Sequence, residues 1–324
     1  MPFLIGLAIS VVLTPLAVLG GFATGLVDRP ESGPQRAGVV NPLKIHRRPV
    51  PLLGGVAVTV AALVAWSIVD GGVSPAVWGA ALVALAAGTA DDVRPLPPWI
   101  RVLLLAASGL LLVAGGFRLG PSALLGGALA VVLVVGCANA VNIIDGQDGL
   151  AGGLAAIASL GLAFLAGDPG RALGLALAGG LAGFLLWNRA PARIFLGNGG
   201  AYAVGVLLAT LAIQVANVDG WRGLLASSLC LSVFAFELMA TVGRRVRSGA
   251  PLASGDRDHA YDLLARRLGS RAQSTLVFWG LGAVALGAAA AVHVAPPLAG
   301  ALVATAAAFA AAVGTTRLTR NQAR

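Results

Sequence analysis

Runs of about twenty apolar residues recur from one end of this 324-residue chain to the other. That recurrence limits the fold more than any other feature, because about 20 such residues are what a helix needs to cross the hydrocarbon core of a bilayer. Charge content agrees. Only 11% of the residues are charged, against about 25% in soluble domains, too few to cover the surface of a soluble protein this long. The expected fold class is all-α, a polytopic integral membrane helical bundle.

Eleven spans are expected, over about 3–22, 52–69, 75–90, 98–116, 121–138, 150–167, 170–187, 200–217, 222–243, 273–293 and 296–316. The 45 glycines fit close helix packing in lipid, where small residues let backbones approach. Orientation follows from the basic residues, which favour the cytoplasmic side. With the N-terminus outside, nineteen of the 22 Lys and Arg residues fall on inner segments. Only Arg118, Arg171 and Arg222 fall outside. The C-terminus is then cytoplasmic. The chain reads as one integral membrane domain, 1–324, with cytoplasmic loops at about 23–51, 91–98, 139–149, 188–199 and 244–272. The net charge of +9 is thus a topology signal and not a nucleic-acid footprint. No positive charge precedes the first apolar run, so a cleavable signal peptide is not expected. Cys137 and Cys230 sit alone within apolar runs and suit neither a disulfide framework nor a metal knot.

Five inner segments concentrate the polar residues. The first, Lys44-Ile45-His46-Arg47-Arg48-Pro49, brings cationic and titratable groups to the entry of a span. Lys44 and His46 are candidates for contact with an anionic ligand. Asp91-Asp92 closes the third span. Carboxylates at a helix C-terminus face the negative end of its dipole and are costly near lipid unless paired or hydrated. A divalent cation would offset that cost, since Mg²⁺ uses one or two carboxylates with waters and substrate phosphates. A pair of solvated acids, salt-bridged to Arg94 or Arg101, would also satisfy the pattern.

The third segment, Asn139 to Leu150, carries Asn139, Asn142, Asp145, Gln147 and Asp148 without one basic residue. Asn139 and Asn142 are three apart and share a helix face. In the fourth, Phe195-Leu196-Gly197-Asn198-Gly199-Gly200, a glycine-rich turn opens a helix and can present free N–H groups to phosphate; a hinge fits it equally. The fifth runs from Arg244 to Arg271 and reads as an amphipathic helix with Leu263, Leu264 and Leu268 on one face. Asp262 and Arg266 are spaced for a surface salt bridge. His259, one of three histidines, is the functional candidate in this stretch.

Taken in this order, the segments resemble the polyprenyl-phosphate N-acetylhexosamine-1-phosphate transferase superfamily, the family 4 glycosyltransferases of bacterial cell-wall synthesis. The resemblance runs from Val27-Asp28-Arg29-Pro30 to Asp262. Lys44-Ile45-His46 and Asp256-Arg257-Asp258-His259 are similar to the GlcNAc-1-phosphate branch. The muramoyl-pentapeptide branch has a triple-histidine stretch that is absent here. The resemblance implies a bacterial plasma-membrane enzyme with its active site on the cytoplasmic face. It would transfer a sugar-1-phosphate from a UDP-amino sugar to a polyprenyl phosphate with Mg²⁺, or Mn²⁺ in its place, and a homodimer is a family-level expectation. It further implies that Asp91, Asp92 and His259 are catalytic. Lys44, His46, Arg101, Asn139, Asn142, Asp145 and Arg257 would bind substrate, and Asp91, Asp92, Asp148 and Asn198 the metal.

Four positions depart from the family pattern. Asn198 stands where the family usually has a metal-holding Asp, Tyr261 and Asp262 replace histidines that often follow the matched one, and Glu237 stands where Asp is common. An amide oxygen can ligate Mg²⁺ but lacks the carboxylate's charge. The alternative is therefore a metal-site-altered paralogue that binds lipid phosphate or nucleotide sugar with little turnover.

Overall fold

The computed structural model describes residues 1–30, 48–70, 74–251 and 258–294. Lys44, His46, Arg257 and the expected eleventh span lie outside the described residues. The elements run α1 (Pro2–Thr24), β1 (Val27–Asp28), β2 (Val50–Pro51), α2 (Gly54–Asp70), α3 (Pro75–Val93), α4 (Pro98–Ala114), α5 (Ala123–Ile144), α6 (Leu150–Leu165), α7 (Gly170–Asn188), α8 (Gly197–Cys230), α9 (Ser232–Ser248), α10 (Ala260–Leu268) and α11 (Arg271–Val294). The two strands pair antiparallel, Val27 with Pro51 and Asp28 with Val50. Six of the described helices are long and apolar enough to cross a membrane, and α2, α4 and α6 are shorter apolar helices.

The bundle is arranged as lipid demands. In α1 the buried residues include Gly6, Ser10 and Thr14, four apart, while Leu4, Val12, Leu16 and Leu19 are exposed. Small and polar residues face the neighbouring helix and the large apolar ones face outward. Lipid gives no hydrophobic gain for burying leucine, so helices associate through close packing of small side chains. Helix α8 is the axis. Its 197–213 stretch is almost wholly buried, and it packs against α2, α3, α5, α6 and α11.

Close approach is most acute where α3 meets the start of α8. A Cβ on Gly88 would collide with the backbone of Asn198 and Gly199. On the same helix, a Cβ on Gly79 would meet only Leu111 Cδ1, at an ordinary 3.6 Å. Alanine gains about 0.5–1 kcal/mol over glycine within a helix, so the two sites should respond with opposite sign. Gly88→Ala is expected to lower the melting temperature in detergent, because overpacking costs about 1–3 kcal/mol. Gly79→Ala should hold or raise it. Equal melting temperatures would contradict this packing.

The ninth expected span, 222–243, is not one helix. The segment labelled α8 breaks at Asp219 and Gly220, where Gly220 has φ 55°. A short helical stretch follows, and the chain bends again at Leu231 (φ −95°, ψ 1°) before α9. Just ahead of that bend, the Ser227 and Ser228 hydroxyls both donate to the carbonyl of Leu224, a side-chain habit that bends helices. Other helices outrun their expected limits. Helix α3 continues through Asp91 and Asp92 to Val93, and α5 through Asn139 and Asn142 to Ile144. Polar residues do not end a helix whose backbone bonds continue, so the loop between α5 and α6 shrinks to 145–149.

Candidate active site

The polar segments meet at one end of the bundle. Phe195 N–H donates to Pro51 O, and Gly54 and Gly55 N–H donate to Phe195 and Leu196 O. Gly197 then turns the chain with φ 75°, where a side chain would collide with the Leu52 carbonyl. Only glycine adopts that backbone readily, which explains the Phe-Leu-Gly run. The turn aims the first N–H groups of α8 at the last turn of α3.

Asp92 occupies that junction. Its Oδ1 accepts from Asn198 N–H at 3.2 Å and its Oδ2 from Gly199 N–H at 3.4 Å. The carboxylate at the unfavourable end of α3 therefore sits at the favourable, positive end of α8. These N–H groups are taken by Asp92, so they are not the free phosphate donors expected from the glycine-rich turn.

Asp91 is buried and engaged on both oxygens. Leu96 N–H donates to Oδ1 at 2.7 Å. Asn198 Nδ2 donates to Oδ2 at 3.0 Å, and Arg101 Nη1 approaches the same oxygen at 3.5 Å. A carboxylate only accepts, so the amide nitrogen of Asn198 is the end turned to Asp91. Of the two partners expected for the acidic pair, Arg101 is the one found, while Arg94 is exposed. Arg101 thus acts on Asp91 as an ion-pair partner.

Asp145 differs from both. It caps the C-terminus of α5. Burial, with the charges of Asp92 and Asp148 adding to it, pushes its carboxyl up to about 7. No hydrogen bond from a described residue counters that push. Asp148 faces the 188–194 turn, where Ala192 N–H donates to its Oδ2 at 3.0 Å. Asp28, on β1, and Asp91 also repel Asp92. Five carboxylates, Asp28, Asp91, Asp92, Asp145 and Asp148, thus share one electrostatic neighbourhood.

Asn139 turns its amide back to the Val135 carbonyl, at 2.8 Å. Asn142 follows it on the same face of α5, half-buried. Asn188, not among the residues expected from sequence, clamps the site with its buried amide: its Oδ1 accepts from Gly149 N–H and its Nδ2 donates to Ile194 O, each at 2.9 Å. An Asn at the end of an apolar helix was the available signal.

Helix α10 turns a different face inward from the one expected. Tyr261, Asp262 and Ala265 are buried, and Leu268 is exposed. Arg266 pairs with Asp258 at 2.9 Å, and not with Asp262. The cause is Tyr261, whose hydroxyl donates to Ile143 O at 2.9 Å while its carbonyl accepts from Gln147 Nε2 and Ser274 Oγ. Those bonds dock α10 on the Asp145 loop and rotate Asp262 inward. His259, the N-cap of α10, stacks on Tyr261 at 5.0 Å between ring centroids.

The donor set suits a hard cation in chemistry, though not as a closed cage. Among the described residues, no three His, Cys, Asp or Glu side chains are placed to hold a metal together. Mg²⁺ needs only one or two carboxylates when waters and phosphates complete its shell, and Asp145, repelled by Asp92 and Asp148, has no cationic side chain set against it among the described residues. Asp91 and Asn198, both expected as metal ligands, are joined by a hydrogen bond from Asn198 Nδ2 to Asp91 Oδ2.

Residues 74–216 match the model of glycosyl transferase family 4, and they carry Asp91, Asp92, Arg101, Asn139 to Asp148 and Asn198. A probable undecaprenyl-phosphate N-acetylglucosaminyl 1-phosphate transferase of Bacillus subtilis is 26% identical over 302 residues, covering 86% of this chain and 81% of the relative. A phospho-N-acetylmuramoyl-pentapeptide-transferase of Symbiobacterium thermophilum is 39% identical over 165 residues, 48% of this chain and 46% of the relative. A putative glycosyltransferase of Streptomyces coelicolor is 38% identical over 250 residues, 72% and 59% of the two chains. The chain thus spans most of the Bacillus protein but about half of the other two. The chain is similar to these transferases, and the match to glycosyl transferase family 4 falls on the segment that holds Asp91, Asp92, Asp145 and Asp148.

Proposed function

We propose that the chain transfers GlcNAc-1-phosphate from a UDP-amino sugar to a polyprenyl phosphate. An oxygen of the lipid phosphate attacks the β-phosphorus, the bond from that phosphorus to the bridging oxygen breaks, and UMP leaves with the electron pair. The product is a polyprenyl-diphospho-sugar, the first membrane-bound intermediate of a cell-wall or surface polysaccharide. The observation that carries this reading is the convergence of carboxylates around Asp145, which no described cationic group offsets, at one end of a membrane bundle. Such transfers depend on positioning and charge neutralisation more than on covalent help from the protein.

Asp92 and Asn198 fix the start of α8 beside the acidic loop, and Arg101 holds Asp91. Asp145, with Asp92 or Asp148, would hold a Mg²⁺ ion. Bound there, that ion would neutralise the two phosphates as they approach. Asn142 and the 145–149 loop would line the nucleotide pocket, and His259 would meet the sugar diphosphate. The nineteen-to-three split of basic residues supports eleven spans with the site facing the cytoplasm, where a nucleotide sugar is available. The GlcNAc preference is supported by the extent of the Bacillus match and by the missing triple-histidine stretch.

The test is UMP release by the purified chain in detergent, supplied with polyprenyl phosphate, a panel of UDP-amino sugars and Mg²⁺. Release that needs the lipid and stops with EDTA is the expected result, with UDP-GlcNAc the best donor. A second reading, a binding paralogue with little turnover, is favoured by the Asn198–Asp91 hydrogen bond, which satisfies Asp91 without a metal. Saturable UDP-GlcNAc binding without UMP release would support that second reading and overturn the first.

A further inference from the structure

Glu237 lies on α9, wholly buried, and among the described residues neither of its carboxylate oxygens has a hydrogen-bond partner. A buried carboxylate within a membrane bundle is costly unless paired. The group set against it is His259, whose Nδ1 stands 3.5 Å from Glu237 Oε2. Thr241, one turn further along α9, also reaches Nδ1, at 3.2 Å from its Oγ1, and Arg244 Nη2 donates to that hydroxyl at 3.1 Å. One imidazole nitrogen is therefore enclosed by a carboxylate and a hydroxyl from the same helix, while the ring face is fixed by Tyr261.

We infer that Glu237 is a positioning residue for His259: its carboxylate takes the Nδ1 hydrogen and fixes the tautomer and orientation of the ring. The logic is one of satisfiability. Glu237 can only accept, and Nδ1–H is the donor at hand. The Thr241 hydroxyl can donate or accept, so it does not decide the tautomer alone. The ring is thereby oriented by a second group, the arrangement that active-site imidazoles commonly require.

Among the described residues, the elements packed against the pair carry the following charged and titratable groups. Helix α9 adds Arg244, Arg245 and Arg247, and Arg266 and Arg267 lie in the last turn of α10. Asp145 follows the end of α5, which itself carries no charge. Tyr261 and Asp262 open α10. Helix α11 carries Arg271 and His293 at its two ends, and α8 carries Asp219 and Arg222 at its far break. The placement of Glu237 beside His259 stands without the transfer reading, but the role of His259 toward a substrate rests on it.

Nitrogen-15 spectra of histidine-labelled full-length protein in detergent test the inference. With three histidines in the chain, a His259→Ala variant assigns the signal. The native protein should show His259 with its hydrogen on Nδ1 at pH 8. In Glu237→Gln the amide can donate to Nδ1, so the hydrogen should move to Nε2. Thr241→Val, which keeps the carboxylate, should leave the tautomer unchanged. In the UMP assay, Glu237→Gln should lower kcat about 100-fold with KM within about threefold, and Glu237→Asp should recover part of it. A native Nε2–H tautomer, a spectrum unchanged in Glu237→Gln, or loss of the Nδ1–H form in Thr241→Val would each overturn the inference. The native spectrum and Thr241→Val decide the matter even where Glu237→Gln does not fold. Absence of turnover in the native protein would instead count against the transfer reading, because the spectra do not depend on it.

Discussion

Asp145→Asn is expected to stabilise the protein while removing most of its activity. The native carboxyl, pushed up to about 7 by burial and by Asp92 and Asp148, receives no counter-charge from a described residue. A carboxyl raised above its ordinary value opposes folding once the pH exceeds that value, and the full cost is present above the raised one. From 3.8 to about 7, that cost reaches at most about 4 kcal/mol. The amide removes it. In EDTA, the gain in melting temperature should therefore be larger at pH 8 than at pH 5. Turnover should fall about 10²–10³-fold, the loss seen when one preorganised electrostatic group leaves an active site. A variant that is less stable than the native protein at pH 8, or equally active, would show that Asp145 serves packing.

Asn198→Asp should make the protein dependent on a divalent cation for its stability. The Asn198 amide donates to Asp91 Oδ2 at 3.0 Å. A carboxylate there loses that bond and sets two negative charges in contact beside Asp92. Leaving a buried charged group unsatisfied costs about 1–3 kcal/mol or more. The expected result is a lower melting temperature in EDTA, recovered in millimolar Mg²⁺, where the native protein changes little. Turnover in Mg²⁺ should rise no more than about threefold, because the native site is organised around the amide. A rise of a hundredfold or more would mean that Asn198 disables the native metal site, as the binding-paralogue reading holds.

Both effects trace to a junction that is only half visible in the sequence. The apolar runs foretold α1 to α7 and α11 because lipid enforces length and apolarity within each segment. The bend at Leu231 left a weaker trace, since Ser227 and Ser228 read as ordinary small residues of a span. Asp91 and Asp92 are legible as costly, with a cation or a salt bridge to Arg94 or Arg101 as the expected offset. The offset found for Asp92 is the N-terminus of α8, 106 residues away in sequence, a partner no local pattern announces. Glu237 was legible as an odd residue in an apolar segment, but its pairing with His259 depends on how α9 leans against the start of α10. Tyr261 read as a lost histidine, and it is the residue that docks α10 on the Asp145 loop.

The most direct test of the central claim is the stoichiometry of the products. The purified chain would receive polyprenyl phosphate, UDP-GlcNAc and Mg²⁺, with UMP measured by chromatography and the lipid extract by mass spectrometry. One polyprenyl-diphospho-GlcNAc is expected for each UMP, and neither product when the lipid is omitted or when Asp145→Asn replaces the native chain. UMP formed with free GlcNAc-1-phosphate and no lipid product would mark a hydrolase. The absence of both products from folded protein would contradict a transferase.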